Sequence, residues 1–203
     1  MSDLTRDAEG SRSAKIALRN RLLTSRRSLT SNELAAAAAQ VQRQTLSLVR
    51  HEGAAVVAAY MPIGSEPGGP GLVEALAAQV RVLLPVLLPD GDLDWAAFST
   101  LTAGPRGLLE PVGPRLGVAA ITTADLVLVP GLAVDRAGLR MGRGGGSYDR
   151  ALSRLPASGG PLVVALLHDG ELVESVPTEP HDRPVQAVIT PAGGLTVLAN
   201  RSV

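Results

Sequence analysis

Across 203 residues, 19 basic and 19 acidic side chains cancel to a formal net charge of zero and lie interspersed, so no nucleic-acid or membrane partner is expected. Four aromatic residues are too few to stack successive bases, and the lack of cysteine excludes disulfides and thiolate metal sites while suiting a reducing, cytoplasmic setting. A hydrophobic content of 45% is enough for one large core, and no apolar run reaches the length of a membrane span.

In chain order, residues 1–12 are polar and lack a signal-peptide core, which predicts a flexible arm ahead of one domain over residues 13–203. An amphipathic stretch from Lys15 to about Ser25 predicts a helix that carries Lys15 and Arg19 on one face. Lys15 is the only lysine, against eighteen arginines. Thr30-Ser-Asn-Glu33 has the form of a capping box and opens an alanine-rich helix to about Arg50. A strand over Ala54–Tyr60 leads into a Gly/Pro-rich loop with Met61 and Glu66, and Pro70–Gln79 reads as a helix. Val82–Leu88 is apolar despite Pro85, and Leu93–Phe98 follows across an Asp-Gly-Asp turn, a hairpin-like pair. Ala124–Val129 is a β-branched run of the kind a covered parallel strand shows, ended by Pro130-Gly131. Further strands are expected at Leu162–Leu167, Val185–Thr190 and Leu195–Leu198. This alternation predicts an α/β fold: a single-domain layered sandwich with a mostly parallel, Rossmann-like sheet and helices on both faces.

The segment Val134–Arg150 carries the chemistry. It follows a strand end, where ligands sit in such sheets. Gly142, Gly144, Gly145 and Gly146 let backbone N–H groups approach an anion, and Arg140 and Arg143 add fixed charge and forked donors. Ser147 is placed to cap a helix running to about Leu155, whose N-terminus also favours negative charge. Neither the G-x-x-x-x-G-K-[ST] nor the G-x-G-x-x-G spacing occurs. On residue type alone, Lys15 and Arg19 equally suit a solvated helix face, Glu66 a turn, Asp149 a helix N-terminal charge and Asp182 a surface loop.

The order P-G-L-A-V-D-R-A-G-L-R-M-G-R-G-G-G-S-Y-D-R, Pro130 to Arg150, is similar to the signature of 5-formyltetrahydrofolate cyclo-ligases, also called methenyltetrahydrofolate synthetases. Lys15-Ile-Ala-Leu-Arg19, the segment Tyr60–Pro70 around Glu66, G-L-L-E-P at Gly107–Pro111 and H-D-R-P-V-Q-A-V-I-T at His181–Thr190 recur in the family order. The resemblance implies ATP- and Mg-dependent closure of 5-formyltetrahydrofolate to 5,10-methenyltetrahydrofolate; a monomer is expected. It implies ATP contacts from Lys15, Arg19, Arg140, Met141, Gly142, Arg143, Gly144, Gly145, Gly146, Ser147 and Tyr148. It implies folate contacts from Met61, Glu66, Arg143, Gly144, Gly145, Gly146 and Ser147, metal ligation by Asp149 and Asp182, and catalytic roles for Lys15, Arg143 and Tyr148. The chain departs from the family at Ser147, often aromatic there, at Val134, in P-G-G-P after Glu66, and at Gln186, a frequent aspartate. Two other classes fit the same features: a phosphosugar isomerase or acyl-CoA transferase on a similar scaffold, needing no ATP, and a non-catalytic folate- or nucleotide-binding module.

Overall fold

The structure, a computed structural model, describes residues 3–177 and 182–198; His181 and the ends of the chain lie outside the described residues. In chain order it contains α1 (Asp3–Ser28), α2 (Ser31–Glu52), β1 (Val56–Ala58), α3 (Leu72–Ala77), β2 (Arg81–Leu87), β3 (Leu93–Ala97), β4 (Leu101–Ala103), β5 (Leu109–Pro111), β6 (Leu126–Pro130), β7 (Ala133–Asp135), β8 (Arg140–Met141), α4 (Ser147–Leu152), β9 (Leu162–Leu166), β10 (Leu172–Val173), β11 (Ala187–Thr190) and β12 (Gly194–Val197). Short 3-10 turns stand at Pro105–Gly107 and Val118–Thr123.

Seven strands form the main sheet in the order β12-β11-β9-β6-β1-β2-β3. The inner five run parallel, and β12 and β3 close the two edges antiparallel. The winding reverses between β1 and β6, which places a crevice outside the carboxyl ends of those two strands. Successive side chains of each inner strand go to opposite faces: Val57, Leu126, Leu128, Val164 and Ile189 pack with α2 and α3, while Ala58, Val127, Val129, Val163 and Val188 pack with α4 and the turn at Ile121. Burial on both faces is why these strands read as continuous apolar runs.

Pro85 sits in β2 without breaking a ladder. Val82 O accepts the Phe98 N–H from the β3 side and Leu83 O accepts the Ala59 N–H from the β1 side. Odd-numbered residues of β2 therefore face β1, whose pairing ends at Ala58–Leu83. Beyond that end Pro85 has no N–H to satisfy, and Leu87 N–H donates to the Glu110 carboxylate at 2.9 Å instead. Glu110 belongs to the β4–β5 hairpin, which the sequence reading did not anticipate.

The capping box at Thr30 and Glu33 is formed, and α2 ends on Gly53 in the left-handed conformation. Helix α1 begins at Asp3, so its backbone runs through the stretch expected as an arm, and it continues past Ser25 to Ser28. β1 (Val56–Ala58) and α3 (Leu72–Ala77) are shorter than expected. A second, three-stranded sheet, β10-β7-β8, was also not anticipated. Leu22 of α1 packs on it with Leu132, Ala133, Met141 and Val176. Among the described residues no helix is long and apolar enough to cross a membrane.

One buried ion pair locks α1 in place. Arg26 donates to both carboxylate oxygens of Glu171 at 2.6 and 2.7 Å and to the Gly131 carbonyl at 2.6 Å, and both side chains are almost fully buried. Removing one member of such a pair strands the other charge. Glu171→Leu is expected to lower stability by about 3–5 kcal/mol, read from the urea midpoint. The double change Arg26→Met with Glu171→Leu is expected to recover much of that loss, short of what the His168 N–H and Gly131 carbonyl forfeit.

Candidate active site

A cleft of ≈ 860 Å³ opens at the carboxyl ends of β1 and β6. Every site residue read from the sequence lines it: Lys15 and Arg19 from α1, Met61 and Glu66 from the loop after β1, Arg140 and Met141 from β8, Gly142 to Gly146, Ser147, Tyr148 and Asp149 at the start of α4, and Asp182. Most of the remaining wall is apolar, with Ile16, Leu87, Leu93, Leu108 and Leu109, none of which was expected to contact a ligand, and Arg26 adds a charge.

Each cation of the cleft has a protein partner. Lys15 Nζ lies 3.1 Å from Asp182 Oδ2, Arg140 donates to Asp149 Oδ1 at 2.9 Å and to the Pro130 carbonyl at 3.2 Å, and Arg19 donates to the Gly142 carbonyl at 3.3 Å. Arg143 Nη2 lies 3.2 Å from Glu66 Oε1. Exposure separates their roles: the Arg143 side chain is 58% exposed, whereas that of Arg140 is 3% exposed. Arg140 is thus a fixed strut across the base of the loop, and Arg143 is the cation with room to turn toward an incoming anion. The Glu66 carboxylate also accepts the Ile63 N–H at 3.0 Å, which holds it at the cleft wall.

The glycine-rich loop does not leave the main sheet directly, as the sequence had suggested. β7 and β8 intervene as a hairpin, its turn built by Asp135, whose carboxylate accepts the Ala137, Leu139 and Val176 N–H groups. After β8, a Cβ at Gly142 would stand 2.8 Å from Arg140 Nη1 and would displace it, and Gly144 adopts φ +103°, where any side chain is strained. Among the described residues, none of the backbone N–H groups from Gly142 to Gly145 is taken up by another protein group. Ser147 is the first residue of α4 rather than its cap; Gly146, at φ 66°, holds that position with no side-chain bond, because the left-handed turn there suits glycine. α4 stops at Leu152, short of Leu155. Arg150 ties the loop down by donating to the carbonyls of Gly145 and of Gly91 in the β2–β3 turn.

Tyr148 packs under the Arg140 guanidinium, 5.9 Å from ring centroid to carbon, with its hydroxyl buried and without a hydrogen-bond partner among the described residues. Burial, reinforced by the Glu66 carboxylate, pushes its phenol well above the ordinary value, and Tyr60 is shifted the same way for the same first reason. Both phenols therefore stay protonated donors throughout the neutral range. Of the departures, Val134 is core and Gln186 accepts the Val163 N–H at 2.7 Å; neither lines the cleft. Arg26 was missed, although Lys15, Arg19, Leu22 and Arg26 follow a helical i, i+4, i+7, i+11 stripe that would have marked it.

No group of three or more metal-binding side chains exists among the described residues. Two carboxylates lining one cleft, Asp149 and Asp182, are nevertheless the donor set a Mg ion takes when phosphate oxygens and water complete its shell.

A model of the 5-formyltetrahydrofolate cyclo-ligase family matches residues 11–191. The chain belongs to that family. It is 41% identical to the 5-formyltetrahydrofolate cyclo-ligase of Mycolicibacterium smegmatis over 193 residues, covering 91% of this chain and 97% of the relative. It is 34% identical to the Escherichia coli cyclo-ligase over 142 residues, covering 67% and 78% of the two chains. The solved structure of Aquifex aeolicus 5,10-methenyltetrahydrofolate synthetase superposes with a TM-score of 0.78 at 28% identity, covering 93% of this chain and 95% of that one. As a cyclo-ligase the protein is an enzyme, and its mostly parallel α/β sheet is shared with that solved structure.

In this cyclo-ligase Tyr148 gives a separable pH signature. A phenol whose folded-state pKa lies above its unfolded value contributes stability that is present below about pH 10 and is lost as pH rises beyond it. Tyr148→Phe is expected to flatten the decline of melting temperature between about pH 9 and pH 11. It should change stability near neutral pH by about 1 kcal/mol or less, because the removed hydroxyl has no partner.

Proposed function

We propose that the enzyme cyclises 5-formyltetrahydrofolate to 5,10-methenyltetrahydrofolate with ATP, releasing ADP and phosphate. The contact between Arg143 and Glu66 at 3.2 Å carries this reading. It joins the glycine-rich loop, suited to phosphates, to the loop that the family resemblance gives to folate, so a phosphoryl group held by one lies within reach of a formyl group held by the other.

An amide oxygen is a poor leaving group. Transfer of the γ-phosphoryl group to the formyl oxygen makes that oxygen part of a phosphate ester, and ADP departs. The N10 lone pair then attacks the formyl carbon, N10 loses its proton, and the carbon–oxygen bond breaks to release phosphate. Such chemistry needs positioned positive charge more than acid or base. Lys15, Arg19 and Arg143 would neutralise the triphosphate and the transferring group, Gly142 to Gly146 with Met141 and Ser147 would line its path, and Arg140 would act by holding Asp149 and the loop base. Glu66 and Met61 would meet the pterin, with Ser147 and the adjoining glycines on the shared side. Tyr148 would offer its proton-bearing hydroxyl to the formyl or phosphate oxygen. Asp149 and Asp182 would hold Mg, which when bound supplies charge neutralisation at the phosphate oxygens. We read the enzyme as a monomer, and the lack of cysteine suits the cytoplasm.

The deciding experiment follows methenyl absorbance from 5-formyltetrahydrofolate with and without ATP. ATP-dependent growth of the product signal is expected. Turnover that ignores ATP would favour a transferase or isomerase chemistry, and binding without turnover a non-catalytic module.

Two variants test the roles. A lysine ammonium is a compact point charge that arginine does not reproduce at a crowded phosphate. Lys15→Arg is expected to lose turnover despite its charge, and Lys15→Ala to lose on the order of 10²-fold in kcat at saturating substrates. Wild-type rates in Lys15→Ala would remove the lysine from the site. Asp149→Asn is expected to raise the Mg concentration needed for half-maximal rate and, because it weakens the hold on buried Arg140, to lower the melting temperature as well. An unchanged Mg dependence would leave Asp149 only its structural pairing.

A further inference from the structure

The loop between β1 and α3 has carbonyl groups that take their donors from side chains. Three supply them. Tyr60 donates to the Pro67 carbonyl at 3.2 Å, Gln42 to the Gly68 carbonyl at 2.7 Å, and the His168 Nε2 lies 2.8 Å from the Ser65 carbonyl oxygen. The last differs from the others in its target. The Ser65 carbonyl and the Glu66 N–H belong to one peptide unit, and that N–H donates to the Ile63 carbonyl at 3.1 Å. One peptide plane is therefore gripped on both edges, and its orientation aims the Cα–Cβ bond of Glu66.

His168 is in turn buried and held by its neighbours. It is 7% exposed, its own N–H donates to Glu171 Oε2 at 2.7 Å, and the Glu171 N–H returns a bond to the His168 carbonyl at 3.2 Å. Glu171 is the residue clamped by Arg26 of α1. A line of bonded groups thus runs from the helix that carries Lys15 and Arg19 to the peptide that carries Glu66.

We propose that His168 is a positioning residue for substrate binding, its Nε2–H holding the Ser65–Glu66 peptide so that the Glu66 carboxylate meets the pterin of the folate. This rests on Glu66 being a folate contact. Since a carbonyl oxygen only accepts, any replacement for the ring must donate at the same place. His168→Phe keeps the volume and removes the donor. In His168→Gln the side-chain amide nitrogen can reach the place of Nε2 and restores one.

The experiment measures steady-state rates of the full-length enzyme with 5-formyltetrahydrofolate and ATP varied separately. His168→Phe is expected to raise the folate KM about tenfold, the effect of one buried hydrogen bond, while kcat and the ATP KM stay within about twofold. His168→Gln is expected to restore the folate KM to within about threefold of wild type. In a Glu66→Gln background, His168→Phe is expected to add little, because both changes remove the same contact. Should the phenylalanine variant not fold, His168→Asn replaces it, since its shorter amide stops short of the Ser65 carbonyl. An unchanged folate KM, an equal rise for both substrates, failure of His168→Gln to rescue, or an additive double mutant would overturn the positioning role. Glu66→Gln alone separates the two levels: if it leaves the folate KM untouched, the folate reading of Glu66 falls and this inference with it, whereas a large Glu66→Gln effect beside a silent His168→Phe removes the positioning role only.

Discussion

The bidentate pair of Arg26 with Glu171 decides where α1 lies, and the site depends on where α1 lies. Two charges in the interior are tolerated only when their geometry is good and their remaining hydrogen-bonding capacity is met. Here Arg26 also takes the Gly131 carbonyl and Glu171 also takes the His168 N–H, so the pair reaches the end of β6 and the turn after β9. Leu22, one helical turn earlier, buries its side chain against the small sheet. With these two anchors set, Arg19 and Lys15 fall at the next two positions of the same stripe and arrive over the glycine-rich loop and at Asp182.

Among the described residues, Lys15, Arg26, Arg140 and Arg143 of the cleft are each balanced by a carboxylate, whereas Arg19 meets the Gly142 carbonyl. A group of bare arginines facing one another would repel and unfold the loop, and partnered carboxylates prevent that. The pairs differ in burial, and burial sorts what each can do. Arg140 and Asp149 are mostly enclosed and serve the shape of the loop; Arg143 is open to solvent and joins the glycine-rich loop to the segment that carries Glu66. The same carboxylates that steady the cations are the oxygen donors suited to a divalent ion, so structural and chemical roles share the residues.

Much of this was legible in the residue order, for reasons that differ by element. The inner strands are buried on both faces and announce themselves as apolar runs; the α2 cap is a local pattern with its own hydrogen bonds. Lys15 and Arg19 were placed on one face by helical spacing, and the cleft receives both. Other features have no local signal. β7, β8 and β10 are two or three residues long and exist because Asp135 organises a turn and α1 covers them. Ser147 looked like a cap, yet the left-handed turn at Gly146 took that position. His168 and Glu171 belong to no motif, since their importance comes from Ser65 and Arg26, far away in sequence. The apolar wall from Leu87, Leu93 and Leu109 is likewise a product of two hairpins meeting, which periodicity along one segment does not reveal.

The partners of α1 lie late in the chain. Arg26 bonds to Gly131 and Glu171 across separations of 105 and 145 residues, Arg19 to Gly142 across 123, and Lys15 to Asp182 across 167. A helix synthesised so far ahead of its partners can form each of these contacts only after that contact's own partner has emerged from the ribosome. The main sheet gains most of its strands sooner, from neighbours closer in sequence. The cleft is therefore complete only once Asp182 has been made, and a product cut short before it lacks residues that an early helix needs as partners.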